Sequence, residues 1–511
     1  MRKLYKFLTS KVLIVTTLIL LQIILLMYII FALAQYAVYL YGSFILLSIA
    51  ITIWIINRPD NPSYKFAWCI PILLFPLFGG MFYLMFGIKQ MPKKVKARYQ
   101  KVTNATISLF EHDQFIMRHF LEEDKSIYKQ VYYLMSHSYY PIYRNCENEF
   151  LPTGEAMFER MKIELRKAKK FIFIEYFIIA EGIFWNSILE ILVEKVKEGV
   201  EVRLIYDDAG CLQTLPSNYH KTLEKLGIRV YVFNRLVPAL MVHMNNRDHR
   251  KIVVIDGNVG FTGGINLADE YINAYVRFGH WKDNGIMIRG EAVWNFTIMF
   301  LQFWNLEYDE DEDYRYYRPD PEVVKDIQAA GFVLPYADTP SDDEIIGEFA
   351  HMNILNMAKE YVYIQTPYLI CDNEVITALT LAAKNGIDVR MILPHIPDKW
   401  YVHIVTRAYY QPLIEAGVKI YEYTPGFMHA KTFICDDEVA IIGTTNMDYR
   451  SYYLHHECGI WMYKTESIRH MKEDFLAILA QSQRITVDMF KKESLATKVM
   501  RAILRVFAPL M

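Results

Sequence analysis

The sequence predicts an α/β protein made of two pseudo-twofold-related halves, each a mixed β-sheet flanked by helices, behind an N-terminal transmembrane helical region. Three observations predict it. A five-point pattern of polar residues and glycine occurs twice at one spacing. Strand-like and helix-like runs recur around each copy in the same order. No charged residue occurs between Val12 and Asn57.

The repeated pattern organises the chain. Its first copy holds His249, Lys251, Asp256, Gly263 and Asn266; its second holds His429, Lys431, Asp436, Gly443 and Asn446. Every position is offset by 180 residues. One His-x-Lys carries no information, but a duplicated five-point match dictates a duplicated architecture.

The charge-free stretch is long enough for two spans of about 20 residues each, read as 12–34 and 37–57. A third apolar stretch, Phe66–Gly87, carries Pro71, Pro76, Gly79 and Gly80, so it is read as a kinked span or a re-entrant segment. Ala32-Leu33-Ala34 resembles a signal-peptide cleavage site, but the apolar region is too long for one and a second span follows it. Arg2, Lys3, Lys6 and Lys11 precede the first span, and Lys89, Lys93, Lys94, Lys96, Arg98 and Lys101 follow the last. Both clusters favour the cytoplasmic side. Either two crossings plus a re-entrant segment, or three crossings with the N-terminus outside, leave the bulk of the chain facing the cytoplasm. The second cluster also suits anionic headgroups.

At 511 residues the chain has room for two or three domains, and its net charge of −2 supplies no global basic field for nucleic acid. The six cysteines are scattered without Cys-x-x-Cys spacing, so neither a zinc site nor a disulfide framework is expected, and a reducing compartment suits them.

In the first half, helical periodicity over 155–169 leads to the apolar run 171–178. A helix near 184–198 leads to the run 199–207, and helix 217–226 turns at Gly227 into 228–233. In the second half, helix 345–359 leads to 361–368, helix 373–384 to 386–393, and Gly417 opens 418–423. The first half carries ten extra residues, near Leu236–Arg247, before its histidine. The expected divisions are 1–88, transmembrane; 89–150, basic juxtamembrane and helical connector; and 151–307, first half. Then come 308–340, an acidic solvated linker; 341–490, second half; and 491–511, a basic amphipathic helix suited to a membrane surface or to docking.

The chemistry follows from residue types. On a strand, His249 and Lys251 point the same way, as do His429 and Lys431. Tight turns at the glycines bring Asn266 and Asn446 toward the same place. Lys251, Lys431, Asn266 and Asn446 are donors suited to phosphate oxygens. Two histidines on opposite sides suit in-line displacement at phosphorus, one as nucleophile and one as acid and base. The lysines supply positive charge, so neither metal nor cofactor is called for. Each histidine needs an orienting carboxylate. Asp283 lies 34 residues after His249, and Glu457 lies 28 after His429. Asp256 and Asp436, counted in the catalytic motif, are expected to brace the site by hydrogen bonds rather than touch phosphate. His455 and His456 stay open because they adjoin Glu457.

At these residues the sequence resembles the phospholipase D superfamily, whose signature is His-x-Lys-x4-Asp-x6-Gly-[Gly/Ser]-x-Asn in two copies, and within it the bacterial cardiolipin synthases. Ile174-Glu175-Tyr176-Phe177, Gln365-Thr366-Pro367-Tyr368, Gly426-Phe427-Met428-His429-Ala430-Lys431 and the tail 505–511 share in the resemblance. Thr444 stands where Ser is commoner, and an additional apolar span leads the chain. The resemblance implies two phospholipase D-like halves and a metal-independent phosphatidyltransferase. A phosphatidyl group would pass from one phosphatidylglycerol to His249 and then to a second phosphatidylglycerol, giving cardiolipin and glycerol, with His429 as acid and base. The apolar segments imply a plasma-membrane location and a lipid-bilayer partner, and a membrane tether favours lipid over nucleic acid. The alternative is another phospholipase D-type phosphatidyltransferase or hydrolase with a different donor or acceptor. A non-catalytic scaffold is disfavoured by intact motifs in both halves, and a nuclease by the absence of a basic, aromatic-studded stripe.

Overall fold

The computed structural model describes residues 11–32, 34–87, 93–235, 245–308, 310–342, 344–491 and 493–510. Two compact units divide the chain near residue 90. The N-terminal basic residues Arg2, Lys3 and Lys6, Lys89 and most of the ten-residue insertion lie outside the described residues.

The N-terminal unit is helical over Lys11–Ala32, Ala34–Ile56, Pro62–Leu74 and Pro76–Phe86. Within it, Val38–Ile56 is long and apolar enough to cross a membrane. The apolar stretch Thr17–Tyr28 is shorter, and the rest of that expected span falls among residues whose side chains are not described. The third apolar stretch breaks at Phe75, where Pro76 removes a backbone donor and starts a new helix. Its arms of 13 and 11 residues each fall short of the ~20 needed to span. They pack tightly, since a Cβ at Gly79 would lie 2.4 Å from the carbonyl oxygen of Pro71.

Among the described residues the larger unit contains two large sheets and two short two-stranded ones. Strands preceding residue 234 are β1 (Tyr143–Arg144), β2 (Glu147–Leu151), β3 (Phe171–Tyr176), β4 (Glu201–Asp207) and β5 (Arg229–Phe233). Around the first motif come β6 (Arg247–Asp248), β7 (Lys251–Ile255), β8 (Val259–Gly263), β9 (His280–Lys282) and β10 (Gly285–Arg289). The second half opens with β11 (Phe332–Asp338), β12 (Tyr361–Gln365), β13 (Leu369–Ile370), β14 (Asp388–Pro394) and β15 (Lys419–Tyr423). Around the second motif come β16 (Gly426–Met428), β17 (Thr432–Cys435), β18 (Val439–Gly443), β19 (Met447–Asp448), β20 (His455–Tyr463) and β21 (Ser482–Arg484).

The first sheet runs β2-β10-β8-β7-β3-β4-β5, and the second runs β1-β11-β20-β18-β17-β12-β14-β15-β21. Apart from the edge strands β1 and β21, the second order repeats the first strand for strand. In each, three strands are parallel (β3-β4-β5, β12-β14-β15) and the motif strands join them antiparallel. Both sheets are therefore mixed.

Side-chain alternation assigns each face to a layer. On β3, Phe171 and Phe173 enter the central core, whereas Ile172, Ile174 and Tyr176 face the outer helices of the first half. The central core lies between the sheets and holds helices Val293–Tyr308 and Glu466–Leu479. Thirteen of the sixteen residues of Val293–Tyr308 are buried, which makes it an internal layer rather than a surface helix.

Two expected divisions differ from the structure. The end of the stretch read as helical connector, from residue 143 on, forms β1 and nearly all of β2, edge strands that join the second and first sheets respectively. Residues 332–338, read as linker, form β11, paired with β20 along seven residues. The acidic run before it is not merely solvated. Glu312 accepts from Arg203 Nη1 at 2.9 Å and Nη2 at 2.7 Å, and Glu310 pairs with Arg229. Arg203 is buried on β4, so its charge demands partners, and the linker acids supply them. The C-terminal helix is Leu495–Val506, started by Ser494, whose Oγ accepts from the Thr497 amide at 3.1 Å.

Candidate active site

Each motif histidine follows a short strand that pairs, in parallel, with a strand of the opposite half. β6 pairs β20 with Asp248 opposite His456, so the next residues are His249 and Glu457. β16 pairs β9 with Met428 opposite Lys282, so the next residues are His429 and Asp283. Backbone bonds extend each register by one step: the His249 amide donates to the His456 carbonyl at 2.9 Å, and the His429 amide to the Lys282 carbonyl at 2.7 Å.

The carboxylates consequently cross between halves. His249 Nδ1 lies 2.9 Å from Glu457 Oε1 and 3.0 Å from Oε2. His429 Nδ1 lies 2.6 Å from Asp283 Oδ2. With Nδ1–H held by carboxylate, each Nε2 keeps its lone pair. The sequence order, which sets Asp283 after His249 and Glu457 after His429, does not reveal this exchange.

The glycines of the two copies explain why a smaller acid serves one side. A Cβ at Gly264 would lie 2.1 Å from Asp283 Oδ1, so the carboxylate occupies the space of the missing side chain. At the matching position Thr444 donates its hydroxyl to Glu457 Oε2 at 2.5 Å. Gly263 faces Gly285, and Gly443 faces Gly459; a Cβ at either motif glycine would come within 2.5 Å of the facing strand's backbone.

Both lysines are buried beside their histidines. Lys251 Nζ donates to the His249 carbonyl at 2.6 Å, and Lys431 Nζ donates to that of His429. Asn266 accepts from the Ile178 amide at 3.1 Å and donates to Tyr271 Oη at 2.7 Å. Asn446 is buried with its Oδ1 unpartnered among the described residues. Aromatic rings wall the histidines: Phe177 stands 5.0 Å from His249, and Tyr271 and Trp281 stand 5.4 and 5.3 Å from His429. Sequence reasoning missed these rings; Trp281 and Phe427 are register partners on β9 and β16, a signal available only once the strands are paired.

Burial and crowded positive charge set the protonation states. Burial, then Lys251 and Lys431, push His249 well below the usual imidazole range. Burial, then Lys431, lower His429 to about 4 against the pull of Asp283. Burial lowers Lys251 to about 8 and Lys431 to about 7. Burial acts to raise Asp283, but His429 and Lys431 outweigh it and hold the carboxyl below its usual range. Two neutral imidazoles and two weakened ammonium groups describe a pocket awaiting an anion.

The motif aspartates stand elsewhere. Asp256 accepts from the amides of Lys169, Lys170 and Phe171 at 2.8, 2.7 and 2.9 Å, and Asp436 from those of Lys359, Glu360 and Tyr361 at 2.6, 3.0 and 2.8 Å. Each has φ of +52°. They sit at the far end of β7 and β17, about 17 Å from the lysine along the strand at ~3.3 Å per residue. They clamp the start of the neighbouring strand and are not part of the pocket, which corrects their place in the catalytic set.

The fold also gathers His455 beside the site. His249, His455 and Glu457 each place one possible metal-ligating atom within 4.8 Å of the others. This grouping spans both halves and has no signature in sequence spacing.

A family profile described as "Cardiolipin synthase, PLD-like domain" matches the chain twice, over residues 161–293 and 352–479. A phospholipase D-nuclease N-terminal profile matches residues 46–87. An uncharacterized protein of Streptococcus mutans is 44% identical over 459 residues, covering 90% of this chain and 99% of that protein. A cardiolipin synthase of Halalkalibacterium halodurans is 33% identical over 467 residues, covering 91% and 92%. Among solved structures, phosphatidylserine synthase of Haemophilus influenzae shares the fold at a TM-score of 0.55 and 14% identity, covering 71% of this chain and 93% of that one. Matched in both halves and a third identical to cardiolipin synthases over nine-tenths of its length, the chain belongs to the phospholipase D superfamily, in the family of cardiolipin synthase-like proteins.

Proposed function

We propose that the protein is a membrane-bound cardiolipin synthase, a phosphatidyltransferase that converts two phosphatidylglycerols into cardiolipin and glycerol. The observation that carries this reading is the crossed pair of neutral, carboxylate-held histidines in a pocket with two buried lysines. The cardiolipin synthase relatives supply the substrate class.

His249 Nε2 attacks the phosphorus of the donor's phosphodiester, and the bond from phosphorus to the glycerol headgroup oxygen breaks. His429, protonated on Nε2, gives that oxygen its proton, and neutral glycerol leaves. The hydroxyl of a second phosphatidylglycerol then passes its proton to His429 while its oxygen attacks phosphorus and the P–N bond to His249 breaks. The low basicity of His249 suits the nucleophile, and the 2.6 Å contact with Asp283 suits the partner that must carry a proton. Lys251, Lys431, Asn266 and Asn446 hold the non-bridging oxygens. An arriving phosphodiester anion raises the affinity of His429 and both lysines for protons, so the substrate assembles its own charged pocket.

We place the protein in the plasma membrane with several apolar segments inserted and the catalytic halves in the cytoplasm. Val38–Ile56 supports a span, and the short arms Pro62–Leu74 and Pro76–Phe86 support a re-entrant segment. Lys93, Lys94, Lys96, Arg98 and Lys101 support the cytoplasmic side. On helix Leu495–Val506, Leu495, Val499 and Ile503 are 77%, 50% and 52% exposed on one stripe flanked by Lys498, the pattern of a helix lying on anionic lipid.

The test is to incubate purified protein with phosphatidylglycerol alone in mixed micelles containing EDTA and to analyse the lipids by mass spectrometry. Cardiolipin and glycerol are expected from the wild type and from neither His249→Ala nor His429→Ala. Phosphatidic acid in their place would make the protein a hydrolase. Turnover only with another phospholipid would keep the chemistry and change the substrate.

A further inference from the structure

His455 is the one member of the pocket without a task in this chemistry. It opens β20 two residues before Glu457, and its ring centroid lies 5.5 Å from that of His249. Burial pushes it to about 3, so it is neutral. Neither ring nitrogen has a hydrogen-bond partner among the described residues. A buried, unpartnered imidazole is costly unless something else satisfies it.

The geometry around it is that of a shared ligand. Glu457 Oε1 lies 2.9 Å from His249 Nδ1 and 3.7 Å from His455 Nδ1. The second distance is too long for a hydrogen bond. Ligand atoms of a tetrahedral zinc site, with bonds of about 2.0 Å, stand about 3.3 Å apart, between these two values. One candidate ligand atom from each of the three residues already lies within 4.8 Å of the others, and no hydrogen bond to a nitrogen holds the His455 ring against turning inward.

We propose that His249, His455 and Glu457 form an inhibitory binding site for a divalent transition metal, zinc above all, which captures the Nδ1 face of His249. Two imidazoles and one carboxylate are ligands that zinc accepts, and a fourth position remains for water or a phosphate oxygen. Lys251 and Lys431 oppose the cation, and the carboxylates of Glu457 and Asp283 offset them. When zinc takes Nδ1, the ring proton moves to Nε2 through solvent, with no net change in the proton count of the neutral imidazole. Nε2–H has no lone pair for phosphorus, so the metal locks the ring in the wrong tautomer. Zinc binding stands on the geometry alone; inhibition rests on the reading of His249 as nucleophile.

The test uses the full chain in detergent, stripped with chelator and then titrated with cobalt or zinc alone. One equivalent of cobalt giving an intense visible absorption band is expected, and His455→Asn should weaken binding at least tenfold. In the phosphatidylglycerol assay zinc should inhibit the wild type, and His455→Asn, which keeps turnover without metal, should resist by a similar factor. Cobalt binding that is unchanged in His455→Asn, or no equimolar binding, would overturn the proposal. Metal binding lost in His455→Asn from a protein inactive on every phospholipid would uphold the site and overturn the functional reading instead.

Discussion

Glu457 and His249 stand 208 residues apart in sequence and 2.9 Å apart in space, and Asp283 and His429 repeat the relationship in the other direction. Neither half can orient its own histidine. The parallel pairings of β6 with β20 and β9 with β16 set both contacts, so the site exists only when the halves are docked. Duplication here yields one active centre rather than two.

The crossing makes a kinetic prediction. Glu457→Gln should impair formation of the covalent intermediate on His249, and Asp283→Asn should impair proton transfer by His429, each lowering kcat about 10²- to 10⁴-fold. The double variant Glu457→Gln with His249→Ala should be no worse than His249→Ala alone. Rapid-quench kinetics checks this; additive losses would separate the two residues.

Asp256 and Asp436 should behave as structural residues. Asp256→Ala removes the acceptor of three amides and puts a Cβ-bearing residue without side-chain compensation at φ +52°, costing about 2–4 kcal/mol of stability. Turnover per folded molecule should fall less than about threefold. Thermal unfolding with active-site titration separates the two effects.

Gly264 should tolerate nothing larger. Gly264→Ala drives a methyl into Asp283 and should abolish activity through His429, while Thr444→Ser keeps the hydroxyl on Glu457 and should retain most of it. Thr444→Val, which loses the hydroxyl, should lose about tenfold. Steady-state assays of the three variants check the ranking.

Phosphate binding should take up protons. In the free pocket Lys431 titrates at about 7 and Lys251 at about 8, so near pH 8 much of each pair is neutral. An anion raises both values, and protons enter with it. The lysines' share of the uptake should be largest between pH 7 and 9 and vanish as pH falls below about 6, where both are already charged, whereas His429, held at about 4 in the free pocket, should still take up its proton there. Calorimetry of a phosphodiester in buffers of differing ionisation heat measures it, and Lys431→Met should lower the count.

Much of this arrangement was legible in the chain. Spacing singled out both histidines, both lysines and both asparagines, because a repeated motif reports residue type and strand face together, and comparable places in the two halves singled out Asp283 and Glu457. The alternation of strands and helices foretold two mixed sheets. Which carboxylate meets which histidine was not legible, because it depends on strand pairing across some 150 to 200 residues. That Asp256 braces by hydrogen bonds was expected from the sequence; which groups it holds was hidden for a related reason, since its partners are backbone amides, which carry no sequence signature. β11 was hidden among Tyr, Pro and acidic residues whose pattern resembles a linker, and its burial comes from neighbours on both sides.

A covalent phosphatidyl-histidine at His249 served by His429 can be trapped with a donor whose leaving group needs no acid. The His429→Ala variant, mixed with phosphatidyl-p-nitrophenol and quenched, should release one equivalent of nitrophenol per site in a burst and carry a phosphatidyl adduct on the His249 peptide. His249→Ala should give no burst. A burst from His249→Ala with the adduct on His429 would reverse the two roles, and release from the wild type with no adduct on either histidine would rule out a covalent histidine intermediate.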